Sequence, residues 1–536
     1  MSLTPSQQYA LDQVRTGRNV FISGSGGVGK SYLANHIIEN LEMKGKKVLV
    51  TASTGKAALL IGGVTCHRAF RIPLKLTWLA KPRISSNSPI YAADAVLIDE
   101  VSMLRIDAFE YIVQSIESAN RLRKFDKGRK RRNPVQLIVI GDFFQLPPVL
   151  VRSSDKKPDE GDLMSEHYGF DVGAGYAFLA PGWQRCNFKL CELKEVIRQS
   201  DQEMIRALNL IRTGDKTAFS YFCKNTRKRK FSKNENVVHL CGKNKTAEQI
   251  NNTALARLPG QEHIYNANIT GQVSEQDKQA PEVIRLKAGA HVIMLQNADK
   301  YQNGSSGIVT KLRESSVSVL INDIKEEIEV PYVTWAVEKY IVTTDKTIEK
   351  QQIGSYSQLP LRLGYAITIH KAQGQTFDKV TLYPEIFVYG QLYVALSRIR
   401  DIKNLYIDGD LDMIDCLAAP EVINFYNKTT SVQSLSAESA EDIDSDPEQA
   451  PLQIPVADPE APEAEQTEQT TEVKTEDLIA IHCPRQCIRT VLTFINQLIL
   501  IDKDKIIANP DLETIFLPQA AAAYKDAICN FIKAIS

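Results

Sequence analysis

Three groups of residues have the types and spacing to do chemistry. The first is Gly24-Ser25-Gly26-Gly27-Val28-Gly29-Lys30-Ser31, a G-x-x-x-x-G-K-S run. In such a run backbone N–H groups close around phosphate oxygens, the lysine reaches the β and γ phosphates, and the serine hydroxyl can ligate Mg²⁺. The second is Asp99-Glu100, an acid pair that ends the apolar run Ala95-Val96-Leu97-Ile98. Asp99 there can complete a Mg²⁺ shell, and Glu100 can polarise an attacking water. The third is Gln145, which comes after another apolar run, with the arginines Arg198 and Arg398. A glutamine so placed can sense a γ phosphate or align water. An arginine reaching in from a second lobe can stabilise the charge of phosphoryl transfer, a role worth about 10³ to 10⁵ in rate. Gln7 lies shortly before the phosphate run, and its amide could read the N6 and N7 edge of adenine; taken alone, a surface glutamine is the better reading. ATP and Mg²⁺ are the expected cofactors.

These groups need scaffolds. Val20-Phe21-Ile22 predicts a strand leading into the glycine run. Lys30 to Met43 predicts a helix with Leu33, Ile37, Ile38 and Leu41 on one face and Gly45 as its stop. Leu3 to Val14 has helical spacing, with Thr4-Pro5 as cap and first turn. Lys47 to Thr51 and Gln136 to Ile140 read as further buried strands. After the former, Ala52 to Ala58 and Gly62 to Phe70 supply small hydroxyl residues, glycines and a helix start that could hold backbone phosphates. His67 and Phe70 could stack on bases or be ordinary packing residues. Residues 71–90 hold three prolines and Trp78 and read as an irregular insertion.

Farther along, Met204, Ile205, Leu208 and Ile211 recur at helical spacing before Gly214, and Val237 to Cys241 reads as a strand. Residues 283–342 become β-rich, with Asn-Gly, Ser-Ser and Asn-Asp turns, which suggests a small inserted β-barrel. Helical character is expected again over Arg362 to Phe377, followed by strands at Val380 to Tyr383 and Asn404 to Ile407.

Composition narrows the class. The 536 residues carry 64 Lys or Arg and 64 Asp or Glu, but the balance is uneven. Residues 431–536 hold 19 acidic and 7 basic side chains, so this tail has an excess of 12 negative charges and the body a matching positive excess. A basic body favours a polyanion through phosphate contacts. Arg121 to Arg132 (RLRKFDKGRKRR) is the densest basic stretch, readable as a solvated loop, a polyanion contact or a nuclear-import signal. Residues 431–475 are poor in apolar side chains and are expected to be a disordered acidic linker, followed by a small helical module over 476–536. The nine cysteines lack a double C-x-x-C pattern and suit a reducing compartment. Cys483 and Cys487, with only His482 beside them, do not make a metal site. No apolar run is long enough to span a membrane and no signal peptide is evident, so an intracellular protein without membrane association is expected. It would be cytoplasmic in a bacterial or viral setting, and nuclear or mitochondrial in a eukaryotic one.

Ten stretches in order, GSGGVGKS, VTASTGKAA, GGVTCH, LIDEVSM, GDFFQLPPV, IRQ, INN, NGSSGIV, ITIHKAQGQTF and YVALSR, resemble the motifs of the Pif-type (petite integration frequency) DNA helicases, in the RecD-like branch of helicase superfamily 1. The resemblance covers about residues 3–410. It implies an α/β fold of two RecA-like lobes with parallel sheets: 1–189 as the first lobe with a wedge insertion at 71–90, and 190–282 with 356–430 as the second, interrupted by an SH3-like insertion at 283–355. By the same resemblance Gln7 reads adenine, Lys30 and Ser31 are the Walker A residues, Asp99 and Glu100 the Walker B pair, and Gln145 the motif III sensor. Arg198 and Arg398 reach the γ phosphate across the cleft, and Gly374 lies in a nucleotide-facing stretch. Thr54, Thr65, His67, Thr368, His370 and Lys371 fall in stretches that contact single-stranded DNA. The implied activity is ATP-driven 5′ to 3′ unwinding by a monomer on single-stranded or forked DNA, with RNA translocation or a non-unwinding ATP switch as rivals. The family's pattern departs at Tyr365, where relatives commonly have Trp, and ends before the acidic tail, which could recruit a protein partner.

Overall fold

The computed structural model describes residues 2–429 except 74–75, 126–132, 152–158, 233–234, 236, 323, 344–346 and 413. The acidic linker, the C-terminal module, Cys483, Cys487 and most of the basic loop lie outside the described residues. The first lobe is built on six parallel strands: β1 (Val20–Gly24), β2 (Val48–Ala52), β3 (Val64–Thr65), β4 (Ala95–Asp99), β5 (Gln136–Gly141) and β6 (Lys189–Leu193), in the order β3-β2-β4-β5-β1-β6. Strands β1, β2, β4 and β5 are buried along their whole length because helices cover both faces, which is why they read as unbroken apolar runs. Alternation divides them: Phe21, Leu49, Val96 and Val139 face one core, while Ile22, Val50, Leu97 and Ile140 face the other.

Strand β6 pairs with β1 over its full length, from Val20 with Lys189 to Gly24 with Leu193. The first lobe therefore extends to residue 193, not 189.

The second lobe opens its own sheet with β7 (Val238–Cys241). Before its remaining strands the chain makes the β-insert: β8 (His263–Asn266), β9 (Asn268–Gly271), β10 (Val283–Leu286), β11 (His291–Met294), β12 (Ser306–Leu312), β13 (Ser316–Ile321), β14 (Glu327–Pro331), β15 (Val333–Val342), β16 (Ile348–Gln358) and β17 (Leu361–Leu363). It runs from 263 to 363, wider than the 283–355 expected, because β8 pairs with β10, β9 with β16, and β17 with β11. The long hairpin β15–β16 leans on the first lobe: the Tyr340 hydroxyl donates to the Val50 carbonyl at 3.2 Å, and Arg68 Nη1 donates to the Glu338 carbonyl at 3.4 Å.

The chain then returns to the second lobe through β18 (Ala366–Thr368), β19 (Val380–Leu382) and β20 (Leu405–Ile407), which complete a parallel sheet in the order β18-β7-β19-β20. The helix expected over 362–377 is absent. That stretch is β17, β18 and one helical turn, Ile369–Ala372, because Ala366 to Thr368 pair with His239 to Cys241 in the sheet. Sheet pairing overrode a local pattern that suited either state.

The last described helix, 420–429, packs on the first lobe although it comes after second-lobe strands. Val422 is fully buried there, and the Phe425 ring stacks on Phe178 at 4.4 Å and meets Phe143 and Trp183 edge-on at 5.6 and 5.8 Å. Clustered aromatic rings of this kind are worth about 0.5–1.5 kcal/mol per pair beyond area burial.

Candidate active site and strand interface

The carboxyl ends of β1, β5 and β4 meet at one point of the first lobe. After β1 the chain runs through Gly24 to Gly29 and enters the helix Lys30–Met43. Gly27 has φ +94°, and a Cβ there would sit 2.7 Å from Arg198 Cβ, so only glycine fits the turn and the neighbour that closes it. Lys30 Nζ donates to the Gly24 and Ser25 carbonyls at 2.9 and 3.1 Å. Burial lowers its pKa, against the pull of Asp142, Glu100 and Asp99. Val28 is buried, and its carbonyl accepts from Gln7 Nε2 at 2.9 Å. Gln7 is itself 1% exposed, and its Oε1 accepts from Thr4 N, completing a capping box on the helix Pro5–Arg15. The surface reading of Gln7 is thus overturned: its amide is fixed against the phosphate run.

Asp99 ends β4, buried, and Glu100 comes next in the left-handed region at φ 52°. A non-glycine residue held there is strained, and the strain aims the Glu100 side chain into the cleft. Burial and the neighbouring Glu100 push the Asp99 carboxyl up to about 7. A divalent cation is the counter-charge that this acid pair, with Asp99 buried, suits. Ser31 and Asp99 are the residues that would hold Mg²⁺, which when bound supplies charge neutralisation at the β and γ phosphates.

Gln145, 4% exposed, lies just beyond β5. From the second lobe, Gln373 Nε2 donates to Gln145 Oε1 at 3.2 Å and to Glu100 Oε2 at 3.3 Å, tying Glu100 to Gln145. Arg398 is 2% exposed, with Nη2 donating to Ser397 Oγ at 2.6 Å and Nη1 to the Gln375 carbonyl at 3.3 Å. That Nη2 lies 3.6 Å from where a Cβ on Gly26 would sit, so the guanidinium stands beside the phosphate run. Arg198 Nη1 donates to the Ser397 carbonyl at 3.3 Å, and Arg198 N to Gly27 O at 3.3 Å. The two arginines share one spot; burial and this proximity lower Arg398 to about 9.

Five contributors were not evident from the sequence. Asp142 is fully buried and accepts from Arg212 Nε and Nη2 at 3.1 and 2.9 Å, a two-pronged ion pair from the second-lobe helix Gln202–Thr213 to the tip of β5. The Arg212 guanidinium also lies over the Phe144 ring at 4.6 Å. Tyr393 OH accepts from Gly26 N at 2.6 Å, and Tyr426 OH shares a hydrogen with Ser23 Oγ at 2.6 Å. Finally, Gly390 has φ +72°, and a Cβ there would come within 2.3 and 2.4 Å of the Gln145 and Phe144 carbonyl oxygens. Gly390 is where the second lobe touches the first backbone to backbone. The signal available beforehand was position alone, since most of them lie inside or beside a motif quoted for other residues.

The strand-facing candidates form a second group. Thr54 and Thr65 cap the helices Gly55–Leu60 and Cys66–Phe70, accepting from Ala57 N and Arg68 N. His67 lines a groove of about 440 Å³ with Arg68, Arg71, Lys339 and Tyr340, between the first lobe and the β-insert. Its Nδ1 is buried without a partner among the described residues, and burial keeps the imidazole below its usual pKa. Phe70 does not join it: the ring is 6% exposed in the first-lobe core, so its role is packing. On the second lobe Thr368 is buried at the start of the turn carrying His370 and Lys371. Gly374, at φ +76°, has open space beyond its Cα, and its neighbours Gln373 and Gln375 make the cleft contacts in its place. Tyr365, in the position where Trp was expected, stacks on His291 at 4.9 Å, and its hydroxyl accepts from His291 N.

Two parallel sheets facing each other across one phosphate-binding turn, with Arg398 delivered from the second lobe and Arg198 from the segment that follows β6, define a two-lobed P-loop nucleotide-binding protein. Among known proteins, the family model described as PIF1-like helicase matches residues 2–209. ATP-dependent DNA helicase PIF1 of Xenopus laevis is 32% identical over 459 residues, 82% of this chain and 66% of its own length. ATP-dependent DNA helicase Pif1 of Campylobacter jejuni is 31% identical over 435 residues, 74% of this chain and 90% of its own length. The crystal structure of Bacteroides sp Pif1 in complex with ADP-AlF4 superposes with a TM-score of 0.68 at 30% identity, covering 80% of this chain and 98% of that one. The chain belongs to the PIF1-like helicase family. It spans just under two thirds of the length of the vertebrate relatives it matches.

Proposed function

We propose that this chain is an ATP-dependent DNA helicase that moves 5′ to 3′ on single-stranded DNA and unwinds the duplex ahead of it. The observation that carries the reading is the placement of Arg198 and Arg398 beside Gly26 and Gly27: a triphosphate seated on the first lobe would meet two cations delivered by another part of the chain. Lys30 would hold the β and γ phosphates, Glu100 would polarise the attacking water, and Gln145, held by Gln373, would register the γ phosphate. Hydrolysis removes the group that the arginines grip, so the lobes part and then close again on the next nucleotide. Thr54, Thr65 and His67 on one side of the cleft and Thr368, His370 and Lys371 on the other would take alternate hold of the strand. Relatives named ATP-dependent DNA helicases support the substrate class.

The protein would work as a monomer on forked DNA, with the acidic tail free to meet a protein partner. Unwinding of fluorescent forks bearing a 5′ or a 3′ overhang, with ATPase stimulated in parallel by DNA and RNA oligonucleotides of equal length, tests the reading. Activity on the 5′-overhang substrate and preferential stimulation by DNA are expected. Stimulation by RNA alone, or strand binding without unwinding, would replace it with one of its rivals.

A further inference from the structure

We propose that Arg362, Lys56 and Lys371 form a seat for one backbone phosphate of the bound strand, where the first lobe, the second lobe and the β-insert meet. The proposal deepens the translocation reading above and rests on it. Its main support is Arg362. This residue lies in β17 opposite Ile293 of β11, between Leu361, buried in the insert's core, and Leu363, packed against the same core. Alternation along a strand sends the Arg362 side chain to the other face, away from that core. There its Nε and Nη2 are sealed from solvent and meet no acceptor among the described residues. Buried charges in proteins are ordinarily paired, and a guanidinium fork without a partner is a cost that folding alone does not explain.

Two lysines converge on the same place. Lys56, from the first-lobe helix Gly55–Leu60, donates Nζ to the Gln373 carbonyl at 3.4 Å. Burial, Arg362 and Arg398 push its ammonium down to about 7. Lys371, on the turn Ile369–Ala372, is lowered by burial and by Arg362. The carboxylates that act on this group are Glu100 on Lys56 and Glu248 on Lys371, and Glu100 is already held by Gln373. Burial is all that shifts Arg362. The cluster thus presents more positive charge than the described residues supply acceptors for.

A phosphodiester oxygen pair fits the guanidinium fork in the two-pronged way that arginine favours, and lysine adds a point charge beside it. The location suits a strand rather than free nucleotide. Lys56 is two residues after Thr54 and Lys371 directly follows His370, the stretches expected to touch DNA on the two lobes. The seat also borders the hydrolytic site: the residue whose carbonyl Lys56 holds is the one whose amide holds Glu100 and Gln145. A filled seat would therefore fix Gln373 from behind and make strand binding felt at the catalytic carboxylate.

The test is a salt titration of a fluorescent oligo-dT with the full chain and with Arg362→Gln, Arg362→Lys and Arg362→Met, each also titrated with a fluorescent ATP analogue and melted. Arg362→Gln should weaken strand binding about tenfold at 0.1 M salt. It should also flatten the plot of log affinity against log salt by about 0.7, the single-strand value for one phosphate contact. Arg362→Lys should restore most of that slope, and Arg362→Met should melt higher than the parent because a buried unpaired charge has gone. A wild-type slope in Arg362→Gln, a loss confined to the ATP analogue, or a lower melting temperature for Arg362→Met would each overturn the seat. Failure of the unsubstituted protein to bind the oligonucleotide is a separate result and would remove the translocation reading itself.

Discussion

The two parallel sheets differ in what their carboxyl ends carry. In the first lobe, β1, β4 and β5 end in the phosphate run, the acid pair and Asp142 to Gln145, so the chemistry sits on strand tips inside the most buried sheet. In the second lobe the tips of β7, β18 and β19 carry none of the cradle, and its contributions arrive from segments farther along the chain: Gln373 after a single turn, and Gly390, Tyr393 and Arg398 around the helix Gln391–Leu396. A rigid sheet sets the positions of groups that must hold a triphosphate within a few tenths of an ångström. Short helices and turns set those that would arrive and leave in the proposed cycle. The division predicts that first-lobe substitutions remove binding or chemistry outright, whereas second-lobe substitutions separate binding from turnover.

Lys30→Ala should show the largest effect, eliminating DNA-stimulated ATP hydrolysis and unwinding while oligonucleotide binding in a filter assay persists. Retained hydrolysis would dissolve the contrast between the lobes. Arg398→Ala should keep ATP-analogue affinity and reduce turnover by about 10³-fold or more, the range for an arginine supplied to a transferring phosphoryl group. Lost affinity at unchanged turnover would place it with the cradle. Arg212→Met leaves Asp142 buried and unpaired, and removing one partner of such a pair costs about 3–5 kcal/mol. That should appear in denaturant unfolding, and the double variant with Asp142→Asn should recover much of it. Phe425→Ala opens the aromatic cluster and should cost a similar amount, about 3–5 kcal/mol, yet leave the KM for ATP close to the parent's, because the ring contacts of Phe425 are with core aromatics and the Tyr426 ring rather than with the phosphate run. The smallest effect belongs to Tyr393→Phe, which deletes one hydrogen bond to the Gly26 amide. A few-fold change in ATP affinity is expected, equivalent to about 0.5–1.5 kcal/mol, read by titration with the fluorescent analogue.

What could be read from sequence divides along the same line. The cradle, the acid pair and Gln145 were legible because a phosphate dictates residue types at short fixed spacings, and because strands covered on both faces have to be continuously apolar. The cross-lobe contacts were not. Asp142 meets Arg212 across 70 residues, Gly26 meets Tyr393 across 367, and Ser23 meets Tyr426 across 403, and no local periodicity encodes such pairings. Phe70 and Gln7 show the limit in opposite directions. The aromatic ring suited to stacking is consumed by the core, and the glutamine that looked like surface is locked by Thr4 and Val28. The strands at 361–368 misled because a run of mixed apolar and small residues serves a sheet or a helix until its partner strand is known.

The helix over 420–429 has a mechanical consequence. Among the described residues the polypeptide passes from the first lobe to the second once after β6 and comes back once before Val422, so two covalent bridges, not one, span the gap between the halves. A body suspended at a single point can swivel in any direction, but one fixed at two is restricted to swinging about the line that joins them. The lobe motion of the proposed ATP cycle would thereby be confined to one arc.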